Sequence, residues 1–188
     1  FMVRAVMLML GPLLVALADD FGTSIAVSGQ LAAATFVTLG ITAPLVGPIS
    51  DTYGRRPVLL IGVLLMALGV LGSGAAWSYG SLMATRLITG VGLAMLPPTI
   101  MAALADNLPP EKLGKAVGFI HSASWVGVAL GVPAIALLGY VGGWRLPFYT
   151  TGGLSLALWV MLYLSLPSGQ RRLGQSIDLI NRFKVIGR

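Results

Sequence analysis

The chain has 188 residues, of which 56% are hydrophobic and only 10% charged, with no cysteine and a formal net charge of +6. A soluble domain carries roughly 25% charged residues, so this much apolar surface requires lipid as its solvent. The missing cysteines exclude disulfides, thiolate catalysis and cysteine-ligated metals, and with five basic residues in the last 18 positions the charge reads as a flank rather than a nucleic-acid surface.

A hydrocarbon layer about 30 Å thick takes about 20 helical residues to cross. Six stretches suffice: Met2–Ala18, Ile25–Val46, Val58–Ala76, Leu82–Leu104, Leu113–Val141 and Leu146–Leu166. The first is read as a span rather than a signal peptide, because no clear small-residue cleavage site follows it. Asp19-Asp20-Phe-Gly-Thr-Ser offers caps at the first break, and Pro109-Pro110-Glu111 opens the fifth helix. Arg4 is either a cavity residue, about 22 Å below the outer edge, or an ordinary inner flank.

The second break is the densest in charge. Asp51, Arg55 and Arg56 fall within six positions of Gly47–Leu60. Asp51 and Arg55 are four apart and face one another on a helical turn. Asp51 is expected at a helix start, Gly47 in a close helix contact, and Gly54 in a sharp reversal before Pro57. Taken alone, this pattern fits either a topology-setting turn or a device that couples helices.

Arg86 lies about 8 Å inside the outer end of the fourth helix. Either it snorkels outward or it is a functional intramembrane charge. His121, the only histidine, falls near the middle of the fifth helix. Its alternatives are a bond to a neighbouring helix and a role in proton relay or substrate contact. Gly118, with other glycines, is expected to allow close helix packing. Placing the N-terminus inside puts ten basic residues on the inner side against Arg145 on the outer, which obeys the positive-inside bias. Trp77, Tyr79, Tyr140 and Trp144 then fall at the outer boundary.

Two short patterns recur. Asp106 follows Asp19 by 87 positions, each closing an Ala-Leu-Ala run, and Trp144-Arg145-Leu146-Pro147 follows Gly54-Arg55-Arg56-Pro57 by 90. Three helices per unit is an odd number, so the second unit is inserted inverted relative to the first, a transporter trait.

Gly47-x-x-x-Asp51-x-x-Gly54-Arg55-Arg56 resembles the loop between the second and third helices of the major facilitator superfamily. Ile49-Ser50 stands for the usual Leu-Ala, and Thr52 for the usual first Arg. Leu82-x-x-x-Arg86-x-x-x-Gly90-x-Gly92 resembles the family's fourth-helix motif. Gly127-x-x-x-Gly131-Val-Pro133 is similar to the antiporter motif of its fifth helix, with one residue more between Gly and Pro and without the following Gly pair. Gly143-Trp144-Arg145-x-x-Phe148 and Asp106-x-x-Pro109-x-x-x-x-Gly114 look like the arabinose and drug efflux members.

The resemblance implies an all-α membrane protein of six transmembrane helices, a 3+3 inverted repeat forming half of a twelve-helix transporter. Residues 1–167 make the six-helix N-terminal domain, and 168–188 a cytoplasmic amphipathic linker to a second half. It implies a conformational latch of Gly47, Asp51, Gly54, Arg55, Arg56 and Asp106, with Arg55 pairing Asp106. Substrate and proton coupling fall to Arg86, His121 and Arg4, and the bend of helix five to Gly127, Gly131 and Pro133. The expected activity is export of small organic compounds, sugar- or drug-like, by proton antiport, with no cofactor, no metal and no enzymatic step. The expected partners are substrate, proton, the bilayer and a C-terminal six-helix half, whether on the same chain, a split partner or a second copy. The expected place is the bacterial inner membrane with both termini cytoplasmic. The competing expectation is a non-transporting six-helix subunit of a larger membrane assembly.

Overall fold

Long apolar runs in lipid must bond their backbone groups internally, and helices do so without outside partners. The computed structural model describes residues 2–165, and the expected linker lies outside the described residues. It contains six helices long and apolar enough to span a bilayer: α1 Met2–Asp20, α2 Ile25–Tyr53, α3 Arg55–Gly74, α4 Tyr79–Asn107, α5 Pro110–Gly142 and α6 Arg145–Ser165.

Local chemistry sets the boundaries. Ser24 caps α2 by accepting from the backbone N–H of Val27, and Ser78 with Ser81 forms a reciprocal capping box at α4. Asp19 and Asp20 are expected caps, yet both sit in the last turn of α1, where there are carbonyls to satisfy rather than N–H groups. The first span is also less regular than its composition suggests. It breaks after Leu8 and passes through a short 3-10 turn, Gly11–Leu13, because Pro12 has no N–H to continue the ladder.

The charged second break is scarcely a loop at all. α2 continues to Tyr53, seven residues past the expected Val46, and α3 begins at Arg55. Gly54 alone joins them at φ +91°, a conformation that a side chain would strain. At 29 residues α2 is longer than the roughly 20 that a bilayer crossing takes, so its polar end can stay helical past the apolar run. Asp51 therefore closes α2 rather than opening a helix.

α3 is the most buried span, and it packs against α4 and α6. The α3–α4 approach is backbone to backbone: a Cβ on Gly92 would meet the Met66 amide, and one on Gly62 would meet Met95 Cβ at 2.8 Å. Gly47 and Gly118 are also expected in close contacts, but nothing lies within 4 Å of a Cβ built on either. The principal neighbours respect the internal repeat. Exchanging α1 with α4, α2 with α5 and α3 with α6 turns α2–α4 into α5–α1, α3–α4 into α6–α1, and α3–α6 into itself, and each of these pairs is in contact. The six helices are thus a 3+3 inverted repeat. α2 and α5, exchanged by that operation, are the least buried, at 11% and 17% against 50% for α3. They leave Phe36, Ile41, Phe119 and Leu130 open to lipid or to another bundle.

At the end of the bundle expected to face outward, Trp77 and Tyr140 are strongly exposed, in keeping with boundary rings. Tyr79 ties its hydroxyl to the carbonyl of Val27 at 2.7 Å. Trp144 is the exception: it is buried between Phe21 and Phe148, because Gly143 at φ +75° turns the chain back over the bundle.

Candidate functional site

Two polar centres stand out in an otherwise apolar bundle. The first is where the C-terminal ends of α2 and α4 meet the N-terminal end of α3. Arg55 Nη1 lies 2.5 Å from Asp51 Oδ1, and Arg55 Nε lies 3.0 Å from Asp106 Oδ2. Nη1 also donates to Ser50 Oγ at 2.6 Å, and that buried hydroxyl donates to the carbonyl of Gly47 at 3.1 Å. One guanidinium, held by the single-residue turn at Gly54, thus joins three helix ends.

These positions run against helix preference. Asp51 and Asp106 close helices, where the field of unpaired carbonyls disfavours an acid, and Arg55 opens one, where a cation is disfavoured. The residues therefore serve contact between helices, and such local violations mark functional or strained positions. Arg56, also expected in this cluster, turns the other way: it donates to the carbonyl of Tyr163 on α6 at 3.2 Å, with its guanidinium 5.9 Å from that ring. Gly47 contributes only its carbonyl.

The second centre is Arg86, which is fully buried and does not snorkel. Its Nε and Nη2 donate to Ser73 Oγ on α3 at 3.0 and 2.6 Å. Ser73 in turn bonds the Gly69 carbonyl at 2.7 Å and meets Thr85 Oγ1 at 2.8 Å. The guanidinium carbon lies 5.0 Å from the ring centroid of Phe148 on α6. Among the described residues no carboxylate pairs with Arg86. A buried cation held by a hydroxyl and a π face is poised to take an anionic group or to disfavour a second positive charge nearby.

His121 is exposed on α5, and no hydrogen bond ties it to a neighbouring helix among the described residues. One turn further along α5, the half-exposed ring of Trp125 carries Arg4 of α1, its guanidinium 5.1 Å from the ring centroid. Arg4 is therefore neither a bare flank nor a member of the Arg86 centre. Gly127, Gly131 and Pro133 lie inside α5, which runs unbroken through them. An apolar groove of about 240 Å³ between α3 and α6, lined by Pro57, Leu60, Ile61, Leu64, Trp159 and Tyr163, is remote from both centres in chemistry.

Reading the sequence missed Ser73, Phe148 as the π face of Arg86, Trp125, and the pairing of Arg145 with Asp20. Only the last had a signal, in the recurrence of Asp19-Asp20 and Arg145 at the repeat spacing of Asp106 and Arg55.

The sequence profile of the Major Facilitator Superfamily matches residues 1–185. The chain is 31% identical over 148 residues to a protein named as a probable L-galactonate transporter of Escherichia coli, covering 77% of this chain and 33% of that one. It is 28% identical over 162 residues to a chloramphenicol resistance protein of Streptomyces lividans, covering 86% of this chain and 41% of that one. A crystal structure of a D-xylose-proton symporter superposes with a TM-score of 0.75 at 19% identity, over 100% of this chain and 49% of the symporter, which speaks to the fold alone. The chain spans half or less of the length of each of these three proteins.

Proposed function

The chain belongs to the Major Facilitator Superfamily, and from that premise we propose that it is the N-terminal half of a proton-coupled exporter of small organic compounds in a bacterial inner membrane. Both of its ends face the cytoplasm, and a second six-helix bundle covers the open faces of α2 and α5. The transport cycle is alternating access, in which the two bundles rock about a site near the midplane.

The observation that carries this reading is the Arg55 hub, which binds the inner ends of three helices against local helix preference. In the proposed cycle it clasps the inner side closed. Asp51, half exposed at the end of α2, meets the positive end of a helix of the second bundle, while Arg55 holds Asp51 and Asp106 in register. Magnitudes limit what the clasp does. Partly exposed ion pairs contribute roughly 0.2–1 kcal/mol each, whereas inverting a 1:99 population takes about 5.5 kcal/mol. The clasp therefore biases the balance, and binding of substrate or proton supplies the rest. Arg86 supplies the coupling charge, and Arg4, Trp125 and His121 offer a polar and aromatic surface on α1 and α5 for substrate.

Similarity to a drug-resistance protein supports export. Uptake with protons is the second reading, favoured by similarity to a protein named for a sugar acid and by a buried cation suited to a carboxylate. Reconstituting the native polypeptide in liposomes with an imposed proton gradient tests both: chloramphenicol moving against the gradient supports export, and L-galactonate moving with it supports uptake. Proton leakage that no compound alters would leave a structural six-helix subunit as the better reading.

A further inference from the structure

The outer end of the bundle carries contacts that the inner clasp does not use. Arg145, first residue of α6, places Nη1 3.4 Å from Asp20 Oδ2 in the last turn of α1. Its Nη2 donates to the carbonyl of Ala76, just beyond α3, at 3.2 Å. The guanidinium lies 4.2 Å from the ring centroid of Trp144. Trp144 packs edge-on to Phe148 at 5.8 Å and tilted to Phe21 at 5.5 Å. Phe148, fully buried, presents its ring to Arg86 at 5.0 Å. An unbroken series of contacts therefore leads from a water-exposed ion pair to the one cation sealed inside the bundle among the described residues.

The repeat gives this series an inner counterpart. In both places an arginine opens the third helix of one triplet and meets an acid that closes the first helix of the other: Arg55 of α3 with Asp106 of α4, and Arg145 of α6 with Asp20 of α1. Each arginine lies just after a glycine at positive φ, Gly54 or Gly143, and each pair opposes the helix dipoles. The difference lies in what stands behind the pair. Arg55 ends on Ser50 near the inner surface, whereas Arg145 is backed by two rings that reach Arg86. Arg86 has no carboxylate among the described residues, so the π face of Phe148 and the hydroxyl of Ser73 are what compensate its lost hydration there.

We propose that Asp20, Arg145, Trp144 and Phe148 form one positioning unit that holds the Arg86 guanidinium against Ser73 and links it to the outer ends of α1, α3 and α6. The unit rests on the reading of Arg86 as the coupling charge. When the outer ends of α1 and α6 part, the Asp20–Arg145 pair opens, the two rings shift, and the cation loses its π face. Outer access and the position of the coupling charge then change together.

The test uses the native polypeptide with every tryptophan except Trp144 replaced by phenylalanine. Arg86→Gln and Asp20→Asn, at opposite ends of the unit, each move the emission maximum of Trp144, and Asp20→Glu restores that of the parent. In the transport assay, Phe148→Leu lowers turnover about tenfold with an unchanged half-saturating concentration, while Phe148→Tyr keeps it within about twofold of the parent. Emission unmoved by both Arg86→Gln and Asp20→Asn, in proteins that melt like the parent, overturns the proposal. So does a Phe148→Leu variant with full turnover. Absence of flux in the parent defeats the transport reading instead, and the emission of Trp144 still decides whether the unit exists.

Discussion

Replacing Arg55 with alanine removes the hub of the cluster that joins α2, α3 and α4. The change deletes ion pairs at 2.5 and 3.0 Å, each with a half-exposed carboxylate, and the 2.6 Å bond to buried Ser50. Two pairs of this exposure contribute roughly 0.2–1 kcal/mol each and the remaining bond about 1 kcal/mol. A loss of about 1.4–3 kcal/mol shifts a two-state balance by roughly 10- to 150-fold. Gly47→Cys reports that shift, because nothing lies within 4 Å of a Cβ there and the position is one turn from Asp51. With other cysteines of the native polypeptide replaced, the rate at which a maleimide labels the introduced thiol in inside-out vesicles rises at least about tenfold in Arg55→Ala, and adding Asp51→Asn raises it little further. Lys112→Gln, which removes a charge outside the hub, leaves the rate unchanged. An unaltered rate in Arg55→Ala, or an equal rise in Lys112→Gln, would refute the clasp.

Arg86→Ala abolishes proton-coupled flux while binding of substrate at high concentration persists, and retained coupling would contradict the role given to that cation. Gly92→Ala drives a Cβ into the backbone of Met66 and the Gly62 carbonyl at 2.7 Å. It forces α3 and α4 apart at a cost of about 1–3 kcal/mol, seen as a lower melting temperature in detergent; an unchanged melt would mean that the two helices do not approach so closely. Cysteines placed at Lys112 or Lys115 react with an impermeant maleimide in inside-out vesicles but not in intact cells, whereas one at Trp77 does the reverse. Equal labelling on both sides would overturn the orientation.

The sequence makes the six spans legible because each is a long apolar run, and the caps Ser24 and Ser78 follow ordinary turn chemistry. It misplaces the helix ends around Gly54 because hydropathy reports where the apolar run stops, not where the helix stops; Asp51 and Arg55 are both helical. Arg55 with Asp106 is readable only through resemblance, since 51 positions separate them and no local period joins them. Ser73 and Phe148 are an ordinary serine and an ordinary aromatic until packing brings α3 and α6 to Arg86. Trp144 looks like a boundary ring by position and becomes a buried one because Gly143 reverses the chain. The inverted repeat is visible as two spacings, and its consequence, paired ionic contacts at opposite ends, needs the helices in place.

On the proposed reading, Asp51, the acid near the end of α2, belongs to a device for switching access. Its most direct test is substrate-driven proton flux in liposomes for the native polypeptide and for Asp51→Ala, compared at equal amounts of inserted protein. The clasp predicts robust flux in the first and a loss of at least several-fold in the second, with insertion and melting preserved. Full flux in Asp51→Ala would contradict it.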